Sequence, residues 1–358
     1  MIGMSVSDKI LNMYFATHQT CNLMCRYCYI PEEIRKSPRT KDIQIIDALK
    51  LFIAKVEFDG FKIGTFCLHG SEPSLMNAET MCEIVESVNQ HWTKNNVNGL
   101  NVSIQTNGIR FTKEYLNILK QNLENPKKLR ISFSIDPPKK VHDYLRNNSY
   151  NKVIENMDEA LKTGFPVGIL CVVSNETFKY MEEFGKWLKF YNNMALTIGN
   201  PYKIKFKFAT GIFALNENEM EKFSNFLLES DLLRFTQILT PGYCIQRGNE
   251  CIWYEFDIFG NCYSCNKAYN NEGIFANWKK ESFETIVNKR RNLYISEYQN
   301  SDCAECDYEL LCNSGCSLDR HYEGKMRGKA LECTLIRTVF SESEKNGKHI
   351  YDIINNKN

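Results

Sequence analysis

The chain has 358 residues, 43% of them hydrophobic and 24% charged, the balance of an ordinary globular protein with room for one large α/β domain and a smaller module. A net charge of +1 gives no reason to expect a nucleic acid or an anionic membrane as partner. No apolar run is long enough to span a bilayer, and the first ten residues lack the apolar core of a signal peptide, so the expected location is cytoplasmic. Disulfides are rare in that compartment, and fifteen cysteines there read as metal ligands where they cluster. Three stand near the start and nine between Cys244 and Cys333, while Cys67, Cys82 and Cys171 sit alone in apolar segments and read as small core residues.

In chain order, residues 1–9 read as a tail, and a strand is expected over 10–17. Apolar residues at Ile46, Leu49, Ile53 and Val56 predict a helix over 43–58. A strand follows at 61–68 and a helix at 78–92. Further strands are expected at 100–105, 129–135, 167–173 and 203–208, separated by helical stretches. Six βα units predict a parallel sheet, too few for a closed eight-stranded barrel. The expected fold is therefore α/β, a partial (β/α)6 TIM-like barrel over 10–213. A bridging region, 214–243, opens with a polar helix over 216–229, capped by Asn218 or Asn216. Short strands, turns and cysteines dominate 244–340, where the core is expected to rely partly on metal. An amphipathic stretch over 335–354 and a polar tail close the chain, with 341–358 as the last segment.

Ligands of such sheets bind at the carboxyl ends of the strands. After the first strand comes Cys21-x3-Cys25-x2-Cys28. Three thiolates hold three corners of a 4Fe–4S cubane and leave its fourth iron open, whereas a structural zinc site wants four ligands. A zinc-knuckle fragment or a set of buried thiols is the plainer alternative. The second strand ends in His69-Gly70-Ser71-Glu72-Pro73, the third in Ser103-Ile-Gln105-Thr106-Asn107-Gly108, and the fourth in Ser132-Phe-Ser134-Ile-Asp136. Alternation puts Ser103 and Gln105 on one face of their strand, and Ser134 and Asp136 on one face of the next. Such groups can hydrogen-bond a ribose and orient a substrate.

The cysteine triad, followed at once by Tyr29, resembles the signature of the radical S-adenosylmethionine (SAM) superfamily. The resemblance implies that SAM chelates the open iron and that one electron cleaves it to a 5′-deoxyadenosyl radical, which abstracts a substrate hydrogen. Gly70-Ser71-Glu72-Pro73 resembles the family's GGEP motif, with Ser71 in place of the second glycine. By that likeness these four residues, with Tyr27, Ser103, Asn107, Ser134 and Asp136, border SAM, and Gln105 faces both SAM and substrate. Pro137-Pro138 and His142-Asp143-Tyr-Leu-Arg146 resemble a DGP…HDxxR stretch, which gives Arg146 to the SAM carboxylate through a charge-assisted bond. A solvated arginine on a helix face is the alternative.

The later cysteines, Cys244-x15-Gly260-x4-Cys265, then Cys303-x2-Cys306-x5-Cys312-x3-Cys316, then Cys333, resemble a SPASM domain. The likeness implies two auxiliary 4Fe–4S clusters, one on Cys244, Cys251, Cys265 and Cys316, the other on Cys303, Cys306, Cys312 and Cys333. With the first site this makes three clusters. Cys262 exceeds the pattern and reads as a bystander, though its spacing with Cys265 leaves a different ligand set open. A pair of zinc ribbons using C-x2-C pairs is the structural alternative.

A cluster with four protein ligands has no open iron and serves electron transfer. The resemblance implies a maturase acting on a precursor peptide, fed by a donor such as flavodoxin or ferredoxin. Two subclasses compete. Anaerobic sulfatase-maturing enzymes oxidise Cys or Ser to formylglycine and carry an aspartate base directly after the cysteine matching Cys265. Here that substrate-facing position is Asn266, which accepts no proton at neutral pH. The favoured expectation is therefore an intrapeptide crosslink, a carbon–carbon cyclophane or a thioether. A first strand at residue 10 leaves no room ahead of it for a winged-helix recognition domain, so the leader is expected on the barrel, the bridge or a separate protein. A small-molecule dehydrogenase is a third enzyme reading. An iron–sulfur electron carrier or zinc scaffold is the non-enzyme one.

Overall fold

Apolar alternation builds the first strand, β1 (Ile10–Ala16): Leu11, Met13 and Phe15 are buried on one face, and Asn12 and Tyr14 are half-buried on the other. In the computed structural model, which describes residues 9–199, 203–236, 253–265, 273–293, 302–312, 315 and 329–354, β1 lies between two parallel neighbours. These are β2 (Lys62–His69) and β7 (Trp253–Asp257). The chain divides into two compact units, the first comprising 1–134, 146–168 and 252–290. Its strand order is β4-β3-β2-β1-β7-β8-β9, with β3 at Val102–Thr106, β4 at Leu129–Ser134, β8 at Asn261–Tyr263 and β9 at Ile274–Asn277. Pairing is parallel from β4 through to β7, and antiparallel at β7–β8 and β8–β9. Among the described residues, no helix is long and apolar enough to cross a membrane.

The outer face of this sheet is aromatic. Phe52, on α1 (Asp42–Phe58), meets Phe15, Phe256, Trp278 and Phe283 at ring-centroid distances of 5.0–5.4 Å. The helix therefore buries Phe52 rather than the expected Ile53, which is only partly covered. Three of those partners come from beyond residue 250, and the segment 252–290 packs with the first unit on an apolar core of its own. Trp278 Nε1 donates to the Asp257 carbonyl at 2.8 Å, and Phe283 N donates to Asp59 Oδ2 at 2.8 Å. The inner face is polar and carries Asn12, Tyr14, Cys67, His69, Ser103, Gln105, Ser132, Ser134 and Glu255. Cys82 and Cys171 are buried core thiols, but Cys67 is half-exposed, because it alternates with Leu68 and so shares the inner face with His69.

The second unit comprises 135–145, 169–251 and 291–358. Strand β5 (Val167–Val173) runs beside β6 (Lys203–Phe208), and Ala209 N donates to the Val173 carbonyl at 2.8 Å. Phe184, Phe206, Phe208 and Phe223 form its aromatic core. The helix Glu217–Glu229 is capped by Asn216, whose side chain accepts from Glu219 N at 2.9 Å while Glu219 returns the bond to Asn216 N at 3.0 Å. The predicted closing helix is two pieces, Cys333–Asn346 and Ile350–Ile354, separated where Gly347 takes φ +60°.

Phe52→Ala should cost about 4 kcal/mol of first-unit stability by urea unfolding, since it removes a fully buried ring with four aromatic neighbours. A loss below about 1 kcal/mol would contradict this packing.

Candidate active site

The loop that leaves β1 carries the three cysteines, all half-buried. Cys21 N donates to the Arg35 carbonyl at 2.9 Å, and Cys28 N to the Cys25 carbonyl at 3.3 Å. Arg35 is buried and braces the loop from inside, its Nε donating to the Ile30 carbonyl at 2.9 Å. Cys28 packs against Ala16, Ile30 and Tyr263. Two N–H groups aim at the Cys21 sulfur, Leu23 N at 3.4 Å and Asn107 Nδ2 at 3.8 Å. Burial pushes the Cys21 thiol up to about 12, and the Glu72 carboxylate and the other two thiols push the same way. An anionic sulfur is thus disfavoured here until a cation arrives, while donors already wait for it. That combination fits a cluster held by three thiolates.

Gly70 follows β2 with φ +106°, and a Cβ there would stand 2.8 Å from the His18 carbonyl oxygen and 3.1 Å from Ala16 Cβ. Only glycine lets the two strand ends approach this closely. Ser71 N donates to the His18 carbonyl at 3.3 Å, and Ser71 Oγ donates to the Gln19 carbonyl. Glu72 is buried, and its carboxylate accepts from Ser74 N at 2.9 Å, Thr106 Oγ1 at 2.7 Å and Asn107 N at 2.7 Å. It therefore joins the loop after β2 to the loop after β3. Asn107 continues outward, with Nδ2 donating to Asn22 Oδ1 at 2.7 Å. Pro73 opens a short 3-10 turn.

Gln105 is locked on the inner face, with Nε2 donating to Ser134 Oγ at 2.8 Å and to the Ser132 carbonyl at 3.2 Å. Ser103 Oγ donates to the Phe66 carbonyl at 3.4 Å. Arg146 is buried, not solvated: its Nη1 donates to the Ser134 carbonyl at 3.3 Å, and its guanidinium lies 5.9 Å from the Tyr27 ring centroid. Asp136, past the end of β4, belongs to the second unit. There its Oδ1 accepts from Val172 N at 2.7 Å, and its own N donates to His142 Nδ1 at 3.1 Å. Cys244, Cys251, Cys316 and Asn266 lie outside the described residues. Cys265 is half-buried just past β8, and Cys262 is fully buried in that strand, where burial holds its thiol well above the ordinary range. Cys262 is thus a core residue.

In the second unit, Cys303, Cys306, Cys312 and Cys333 line one small cavity with Tyr308 and Ile336. Tight turns present them: Cys306 N donates to the Cys303 carbonyl at 3.2 Å, and Cys312 N to the Tyr308 carbonyl at 2.8 Å. Burial raises the Cys312 thiol to about 12, and its three neighbouring thiols add to this. Among the described residues, no three His, Cys, Asp or Glu side chains converge tightly enough for a single metal ion. Four thiols lining one cavity are a donor set that a 4Fe–4S cluster or a zinc ion could use.

Sequence reasoning passed over Glu255, which is fully buried on the inner face with Oε1 at 3.3 Å from His69 Nδ1. The signal was present: one carboxylate inside the aromatic run Trp253-Tyr254-Glu255-Phe256.

Three thiols on one loop at the carboxyl edge of a parallel α/β sheet, beside a glycine–glutamate turn, are the donor set that an iron–sulfur enzyme of the barrel type requires. Residues 16–188 match the radical SAM superfamily, and the chain carries a radical SAM domain over that span. A cysteine-type anaerobic sulfatase-maturating enzyme of Clostridium novyi is 23% identical over 331 residues, covering 83% of this chain and 84% of that protein. A mitochondrial GTP 3',8-cyclase of Arabidopsis thaliana is 25% identical over 182 residues, 47% of this chain and 42% of its own. Among solved structures, native anSMEcpe with bound AdoMet superposes with a TM-score of 0.74 at 19% identity, covering 97% of this chain and 100% of that one. Streptococcus suis SuiB bound to precursor peptide SuiA gives 0.58 at 11% identity, covering 89% and 75%. These likenesses bear out the partial-barrel fold. The superfamily implies one 4Fe–4S cluster and SAM, which the Cys21, Cys25 and Cys28 site fits.

His18 adds a pH-dependent element. It is 1% exposed, and burial, with help from Arg39, lowers its pKa from 6.5 to about 4. The unfolded chain therefore takes up this proton first, and stability is lost as pH falls from 6.5 toward 4, by about 3 kcal/mol at the limit. Urea midpoints of the metal-free chain should drop between pH 7 and 4.5, and His18→Gln should flatten that slope. An identical slope in the variant would refute the assignment.

Proposed function

We propose that this protein is a radical SAM maturase that oxidises a side chain of a ribosomally made precursor peptide and closes an intrapeptide crosslink, a carbon–carbon cyclophane or a thioether. The observation that carries the oxidative part is the cavity lined by Cys303, Cys306, Cys312 and Cys333. A cluster there is closed by four protein ligands and moves electrons rather than binding substrate. When bound at the open iron, SAM supplies a hydrogen-atom abstractor. The chain's own residues do the rest. Cys21, Cys25 and Cys28 hold the first cluster, with the Leu23 and Asn107 N–H groups supporting the Cys21 sulfur. The Gly70–Pro73 turn and the Tyr27–Arg146 pair border SAM, with the Arg146 guanidinium placed for a carboxylate. Gln105, fixed by Ser134, orients the substrate. Cys244, Cys251, Cys265 and Cys316 would hold a third cluster, and a flavodoxin or ferredoxin would supply electrons.

The crosslink is preferred because residue 266 is asparagine, so the aspartate expected after this cysteine in sulfatase-maturing enzymes is absent. Formylglycine formation is the second reading, favoured by the likeness to a cysteine-type sulfatase-maturating enzyme over 83% of this chain.

Co-expression with peptides encoded beside the gene, followed by mass spectrometry, separates the two. Loss of two hydrogens per modification supports the crosslink, and a thiol-to-aldehyde change supports formylglycine. Unmodified peptides throughout would sink both. The anaerobically reconstituted protein should hold about twelve irons per chain, and Cys312→Ala about eight. An unchanged iron count in that variant would remove the cluster assigned to its cavity.

A further inference from the structure

Glu255 stands at the centre of β7, with the Tyr254 and Phe256 rings on the opposite face. Register sets Glu255 beside Tyr14, one side-chain level below the rim where Ala16 meets His69 on one side and Asp257 on the other. The cysteine loop and the Gly70 turn leave from that rim. Tyr14 packs edge-on against the His69 ring at 5.2 Å and tilts against Trp253 at 5.1 Å, so rings hem the carboxylate in. Its Oε1 faces His69 Nδ1 at 3.3 Å, and its Oε2 has no hydrogen-bond partner among the described residues.

The contrast with Asp257, two residues on and equally buried, is informative. Both oxygens of Asp257 are filled, by Phe259 N, Asn261 N, Asn261 Nδ2 and the Tyr263 hydroxyl. That carboxylate is structural. A buried carboxylate oxygen left without a donor costs free energy, on the order of 1–3 kcal/mol, and is retained where it meets a ligand or moves a proton.

The proposed oxidation, crosslink or formylglycine alike, removes one hydrogen atom, one proton and one electron from the substrate. The hydrogen atom goes to the SAM-derived radical and the electron to an acceptor of the iron–sulfur class. The proton needs a base, and Asn266 is not one. We propose that Glu255, oriented by His69, is that base, inside the barrel beneath the SAM site. Its Oε2 takes the proton and becomes a carboxylic acid. The electron pair of the broken substrate bond stays behind and completes the new bond or restores the aromatic ring. The group it serves is a thiol, a hydroxyl or a ring C–H of a peptide side chain reaching into the barrel. This assignment rests on the maturase reading.

The test uses the reconstituted enzyme with two probes, the precursor peptide encoded beside the gene and a synthetic peptide centred on the target cysteine of a cysteine-type sulfatase. For whichever probe the wild type modifies, E255Q should bind it within about threefold of wild type by fluorescence anisotropy. The ratio of modified peptide to 5′-deoxyadenosine should fall by about 10²-fold. In Glu255→Ala, added formate should raise that ratio, because a small carboxylate re-enters the space; a misfolded variant shows no such rescue. An unchanged ratio in E255Q, a loss of peptide binding that accounts for the whole effect, or no formate rescue in a Glu255→Ala variant that still binds the peptide would each overturn the assignment. A wild-type enzyme that modifies neither probe would overturn the maturase reading and this base together.

Discussion

One carboxylate decides whether the carboxyl edge of this sheet is a site or merely an edge. Glu72 collects donors from its own turn and from the loop after the next strand, while Gly70 presses against the backbone that leads into the cysteine loop. Parallel strands leave their connecting loops independent of one another, so nothing in the sheet itself makes three such loops converge. The Glu72 bonds and the missing Cβ at position 70 do so, and Asn107 passes the constraint on to Asn22 and the Cys21 sulfur. The Cys21 sulfur is thus held by neighbours rather than by its own loop alone.

Around that edge the barrel separates two environments. Outside, Phe15, Phe52, Phe66, Phe256 and Trp278 make a dry aromatic shell. Inside, short polar side chains bond one another, as Gln105 does with Ser134. The polar interior is built of side chains that bond one another, and the apolar shell fixes the strands that carry them.

Much of this could be read beforehand, and the failures have physical reasons. The strands 167–173 and 203–208 match their predicted spans, because branched and alternating residues leave little choice of period. Asn216 was one of the two caps foreseen. The thiol set 303, 306, 312 and 333 was paired by likeness to a known pattern, and the fold gathers those four around one cavity. Phe52 was missed in favour of Ile53 because periodicity alone does not tell which edge of an apolar stripe faces large rings. Arg146 could not be separated from a surface arginine, since burial depends on segments distant in sequence. Glu255 escaped for the same reason: its importance lies in what it fails to bond to, a property that exists only in three dimensions. Cys67 looked like core because its sequence neighbours are apolar, but a strand has two faces.

The pairing of β1 with β7 also bears on how the protein is made. The strand that leads into the cysteine loop has its second edge covered by a strand more than 230 residues further along the chain. Until that late segment emerges from the ribosome, β1 presents a bare row of amide and carbonyl groups beside three cysteines. Closing so long a loop is slow and entropically costly. The nascent chain therefore spends its most vulnerable interval with an unprotected strand edge next to its first three cysteines.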